Sequence, residues 1–192
     1  SLEHTESLLY RWGDRVSSVL GKEAMVGMYR YQGGRERVYL PDRPETVFYA
    51  QELSASTEMV ALLGCRVLSG SLEEVAAADN RIVLTETMAR KLFGRIDVCG
   101  ESVCHIQKWR QLLYTVGAVV EDCWGKSNLH YDFISPLWVE DYERNSAVHE
   151  NFRIMVRTSR PERTESELSR VDIKDSYPCL LYTSPRPRDV EE

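Results

Sequence analysis

Four histidines and five cysteines have the strongest claim to chemistry in this 192-residue chain. The histidines are His4, His105, His130 and His149. A helical zinc site needs two histidines one turn apart, as in H-x-x-x-H or H-E-x-x-H, so that both nitrogens meet one ion. Neither pattern occurs. His130 and Asp132 alternate as on a strand and would share a face, and His105 adjoins Cys104. Such pairs arise by chance and fall short of a zinc ligand set, so no metal is expected.

The cysteines are Cys65, Cys99, Cys104, Cys123 and Cys179, with no C-x-x-C pair among them. Cys99 and Cys104 can approach across a turn at Gly100, and either can meet Cys123. Packed thiols are the simpler expectation, because a free cysteine behaves as a small hydrophobe. An odd count leaves at least one thiol over in any pairing scheme. No G-x-S-x-G elbow marks a nucleophile, and no G-x-G-x-x-G or G-x-x-x-x-G-K-[ST] marks a phosphate cradle. Any ATP this protein works with is therefore bound elsewhere. Asp97, Glu101, Glu121 and Asp122 fall in loops or at strand ends, where solvated surface is expected. No catalytic residue, cofactor or metal site is expected. The enzyme-class alternative is a hydrolase using His130, Asp132 or a cysteine.

The bulk properties narrow the classes further. At 43% hydrophobic and 28% charged, the chain is ordinary globular material. A net charge of −6 argues against nucleic-acid binding, which calls for a basic face. No run approaches the roughly 20 apolar residues that span a bilayer. The N-terminus lacks the basic and apolar regions of a signal peptide. The chain lacks an initial Met, so the expectation is a fragment of a longer protein.

The elements that would position any site are legible in outline. Leu2–Leu20 reads as an amphipathic helix with Leu8, Leu9, Trp12, Val16, Val19 and Leu20 on one stripe, closed by Gly21. Met25–Gln32 and Arg35–Leu40 alternate as strands, and Gly33-Gly34 between them predicts a hairpin turn. Thr46–Leu53 is a third β-rich run. Thr57–Leu63 reads as a short helix ending at Gly64, followed by a strand at C-R-V-L and a helical turn at Glu73–Ala78. Arg81–Gly94, R-I-V-L-T-E-T-M-A-R-K-L-F-G, is the clearest unit. It has an apolar strand, Thr85 as N-cap, Glu86 and Arg90-Lys91 at the matching ends of the helix dipole, and Gly94 as stop. Ala89, Leu92 and Phe93 form its apolar face.

Ser102–Gln107 and Leu112–Glu121 follow as strands joined by a tip carrying Trp109. The second is expected to be central, with Gly117 allowing a bulge or a close backbone approach. Tyr131–Trp138 and Phe152–Thr158 are further strands, and a polar helix runs from Pro161 to about Arg170. The mixed order with several hairpins predicts an α+β fold. The prolines after Tyr177 forbid a long helix. Cys179–Asp189, C-L-L-Y-T-S-P-R-P-R-D, resembles a translated sequencing-adapter read-through, so the natural sequence is expected to stop before Pro178.

Three segments together resemble the extracytoplasmic (periplasmic) core domain of MacB/FtsX-type ABC transporter permeases. Ala55–Gly70, A-S-T-E-M-V-A-L-L-G-C-R-V-L-S-G, is similar to the family's "(S)PEFF-x-x-F-G-I-x-L-L-x-G-R". Ile82–Val103, I-V-L-T-E-T-M-A-R-K-L-F-G-R-I-D-V-C-G-E-S-V, is similar to "V-V-I-N/T-E-x-x-A-x-K-L-F-G-x-x-D-P-I-G-K-x-I". Tyr114–Leu137, Y-T-V-G-A-V-V-E-D-C-W-G-K-S-N-L-H-Y-D-F-I-S-P-L, is similar to "Y-x-V-x-G-V-V-x-D-F-P-x-x-S-x-L-x-F-D-x-L-x-P", the version that looks most like permeases of Bacteroides-type bacteria. Val98-Cys99, Glu101 and Cys123-Trp124 depart from the family's Pro-Ile, Lys and Phe-Pro.

The resemblance implies a mixed α/β membrane-proximal subdomain, residues 1–80 and 150–176, with an inserted β-rich subdomain at 81–149. Residues 177–192 would be a non-native or disordered tail. It also implies a non-enzymatic parent at the periplasmic face of the bacterial inner membrane, with flanking membrane helices. That parent would be driven by an ABC ATPase subunit, paired with a second permease copy as a dimer, and would meet a periplasmic partner protein or substrate. Trp109 and Trp124, on exposed loops, are the expected partner contacts, because exposed tryptophan marks binding surfaces. A free-standing soluble binding domain of the same fold is the alternative.

Overall fold

The computed structural model describes residues 16–107, 110–122, 129–137, 152–159, 166 and 179–181. Backbone contacts divide the chain into two compact units. One is Ser1–Met28 with Val139–Glu192, and the other is Tyr29–Trp138.

The second unit is built around a closed ring of strands. β1 (Ala24–Leu40) turns at Pro41-Asp42 into β2 (Arg43–Ala55). Ser56 then caps α1 (Thr57–Leu63) by accepting from the Met59 N–H at 3.3 Å, and Gly64 closes it with φ at 65°. β3 (Val67–Gly70), α2 (Leu72–Ala76), β4 (Arg81–Thr85) and α3 (Glu86–Phe93) follow. β5 (Ser102–Ile106), β6 (Gln111–Val120) and β7 (Phe133–Pro136) complete the unit. The strand order is β2-β7-β4-β6-β5-β1, and β1 pairs with β2 as well. Six strands therefore form a barrel. β3 lies off the ring, antiparallel to the last residues of β6. The pairings mix directions, with β2–β7 and β4–β6 parallel, as an α+β fold predicts.

Residues of alternate strand positions fill the interior. Val38, Ala50, Ile82, Leu84, Val103, Tyr114, Val116 and Phe133 are buried together, and Met88, Ala89 and Leu92 of α3 join them. α3 forms as its sequence dictates. The Thr85 hydroxyl accepts from the Met88 N–H, Arg90 pairs with Glu86 at 2.9 Å, and Gly94 ends the helix at φ 73°. Gly117 meets both expectations. The β4–β6 register skips it between Val116 and Ala118, and a Cβ there would stand 2.8 Å from the Val75 Cγ2.

One expectation needs correction. Gly33-Gly34 is not a hairpin turn. β1 runs through it unbroken, and the β1–β2 register slips between Tyr31 and Arg35. The glycines sit where the strand takes up a bulge, and Pro41, which presets a turn φ, makes the reversal with Asp42. β1 and β2 close the same ring as β4 and β6. Cys179–Leu181 forms β9, parallel to Arg153–Met155 of β8 (Phe152–Thr158).

In the first unit, residues 16–20 are helical and lead through a 3-10 turn, Gly21–Glu23, into β1. Val16 and Leu20 pack with Ile154 and Val156 of β8. Val19, expected on the apolar stripe, is exposed. The polar helix at 161–170 lies outside the described residues apart from helical Ser166.

Candidate functional site

Polar side chains gather inside the barrel, next to the apolar core. Strand alternation places Glu36 on the face of β1 that carries buried Val38, and Glu52 between buried Ala50 and Ser54 on β2. Register then joins the strands. Val38 pairs with His105 of β5, Glu36 with Ala50, and Glu52 with Phe133. The result is one imidazole between two carboxylates. The His105 Nε2 is 3.2 Å from the Glu36 Oε2, and the Nδ1 is 3.8 Å from the Glu52 Oε1. His105 is wholly buried, Glu52 nearly so, and Glu36 keeps 21% of its side chain exposed.

The surroundings fix this cluster in place. The Ser135 hydroxyl donates to the Glu52 Oε1 at 2.6 Å. Phe133 meets the His105 ring edge-on at 5.4 Å, and Tyr114 lies tilted at 6.1 Å. Burying a carboxylate is costly unless partners replace water, and for Glu52 the Ser135 hydroxyl does so. His105 has no exposed edge, and the three side chains offer donors that a metal ion can take.

The residues singled out in the sequence have other roles. His130 is exposed. The Asp132 carboxylate accepts from the Gln51 N–H at 2.7 Å, which ties β2 to the start of β7. Glu101 pairs with Arg95, Glu121 accepts from the Arg66 N–H, and Asp122 accepts from the Thr87 hydroxyl. These acids, expected as solvated surface, make their bonds within the fold. Burial, with the Asp122 carboxylate adding to it, pushes the Tyr131 phenol up to about 12.

Cys99 and Cys104 are free, half-buried thiols. Cys104 points away from His105, on the outer face of β5, where it bonds Tyr39 and holds that phenol above its usual value. Cys65 is disulfide-bonded, contrary to the expectation of packed thiols. Its sulfur then has no proton to give, so the Tyr131 hydroxyl donates to it at 3.2 Å. Trp109, Cys123 and Trp124 lie outside the described residues. Sequence reasoning missed Glu36 and Glu52. The available signal was a lone Glu in the interior phase of each alternating strand.

No family model and no curated protein matches the chain. Solved structures do. A domain ascribed to a permease protein from Porphyromonas gingivalis superposes with a TM-score of 0.65 at 18% identity, over 82% of this chain and 72% of that one. The extracellular domain of the ABC-type transporter YknZ from Gram-positive bacteria gives 0.52 at 14% identity, over 80% and 76%. The periplasmic region of MacB from Actinobacillus actinomycetemcomitans gives 0.48 at 11% identity, over 80% and 84%. The chain thus has the α+β fold of a permease domain and of an ABC transporter's extracellular domain, the fold that the MacB/FtsX resemblance implied.

Proposed function

We propose that the chain is the extracytoplasmic domain of an ABC transporter permease subunit. In this role it couples ATP-driven motion of membrane helices to substrates or partner proteins outside the membrane. The observation that carries this is the fold shared with the permease domain over 82% of the chain. The barrel supports it as well, because a closed ring moves as one body and can pass on a displacement without losing its pairing. No described helix is long and apolar enough to cross a membrane, so the membrane helices would lie elsewhere in the parent.

The parent would sit at the periplasmic face of the bacterial inner membrane, joined to an ABC ATPase subunit and to a second permease copy. The terminal segments would be membrane-proximal and the β-rich part distal. Trp109 and Trp124 would touch the partner or substrate, and no catalytic step would be involved. The test is the complete reading frame. Hydrophobic spans of about 20 residues must flank this segment, and the expressed parent must co-purify with an ABC ATPase. A frame that encodes this domain alone would overturn the proposal in favour of a free-standing binding domain.

A further inference from the structure

We infer that the barrel interior holds a divalent transition-metal ion at His105 and Glu52, with Glu36 as the positioning residue. One donor atom from each of the three lies within 4.8 Å of the others. Two carboxylates and an imidazole, packed among Val38, Phe133 and Tyr114, offer a divalent ion three donors of the right kind.

A second observation points the same way. The Nδ1 of wholly buried His105 has no hydrogen-bond partner and faces the Glu52 Oε1 at 3.8 Å, beyond hydrogen-bond length. A buried polar atom left unpaired is costly. An ion between them satisfies both atoms. Metal–ligand lengths of about 2.0–2.2 Å put two donors on one ion roughly 3.3–4 Å apart, which accommodates the observed gap.

The other ring nitrogen completes the pattern. A metal-bound histidine hands its second N–H to a carboxylate, which sets the tautomer and the ring plane. The Glu36 Oε2, 3.2 Å from Nε2, is placed to accept that proton. Ser135 orients Glu52 in the same way. An imidazole nitrogen with carboxylate oxygen suits Zn²⁺, Mn²⁺ or Fe²⁺ better than Ca²⁺ or Mg²⁺. Glu36, with 21% of its side chain exposed, gives the ion a route in.

The test uses the purified, metal-stripped chain titrated separately with Zn²⁺, Mn²⁺ and Mg²⁺, followed by calorimetry and thermal unfolding. Zn²⁺ or Mn²⁺ should bind once per chain and raise the unfolding temperature. Glu52→Gln and His105→Asn should abolish binding, and Glu36→Gln should weaken it about tenfold or more. His130→Ala, at the exposed histidine, should bind as the parent does. If the buried variants fail to fold, Glu36→Gln decides, because its side chain reaches the surface. Unchanged affinity in folded Glu36→Gln, a response to Mg²⁺ alone, or no saturable binding would each overturn the inference.

Discussion

Thr85 bonds the same Asp132 carbonyl twice, through its backbone N–H at 3.0 Å and its hydroxyl at 3.1 Å. That hydroxyl also accepts the Met88 N–H at 3.2 Å. One buried side chain thus ends β4, starts α3 and holds the approach to β7. The Asp132 N–H and carboxylate meanwhile reach Gln51 of β2.

Thr85→Val keeps the shape and removes the hydroxyl. Losing a helix cap costs about 1–2 kcal/mol, and the stranded Met88 N–H has no water to turn to. Urea unfolding should show a loss of about 2 kcal/mol, with Thr85→Ser retaining most of the stability. Val at wild-type stability would mean that packing alone sets the β4–α3 junction.

The exposed charges on the same helix should matter far less. Glu86 and Arg90 form an i,i+4 pair, and such pairs contribute about 0.3–0.5 kcal/mol. Arg90→Ala should shift the urea midpoint within that range, and the shift should vanish in high salt.

Gly117→Ala should be destabilising by about 1–3 kcal/mol, because its Cβ would press on Val75 of α2. The double variant Val75→Ala/Gly117→Ala should lose less than the sum of the two single changes. Strict additivity in a double-mutant cycle would show that the strain lies in the backbone rather than against Val75.

Alkaline stability should depend on Tyr131. Its folded-state phenol ionises at about 12 rather than the usual 10.0 because burial, and then the Asp122 carboxylate, disfavour phenolate. The folded state therefore keeps a proton that the unfolded state releases. This stabilisation is complete below about pH 10 and fades as the pH rises towards 12. Tyr131→Phe should flatten that part of a stability–pH profile, and a wild-type slope in the variant would assign the effect to another group.

What the sequence made legible was local. Arg81–Gly94 folds as expected because its cap, dipole charges and stop all lie within one short segment. Gly33-Gly34 misled because a glycine pair signals a turn only if the flanking strands pair with each other, and here both flanks pair along β2. The Glu36–Glu52–His105 cluster has no local signature. Its members meet only through the β1–β2 and β1–β5 registers, and register between distant strands is a tertiary property. His105 beside Cys104 looked like a pair, yet neighbours on a strand face opposite ways.

The pairing of β1 with β2 has a consequence for recognition. Where the ring is paired on both sides, an extended peptide cannot be added to it, which leaves strand addition to segments paired on one side only, such as β3 and the first part of β2. Copies of the domain cannot stack edge to edge through the doubly paired strands either. A partner meeting the doubly paired strands would therefore read side chains and loops rather than extend the backbone ladder.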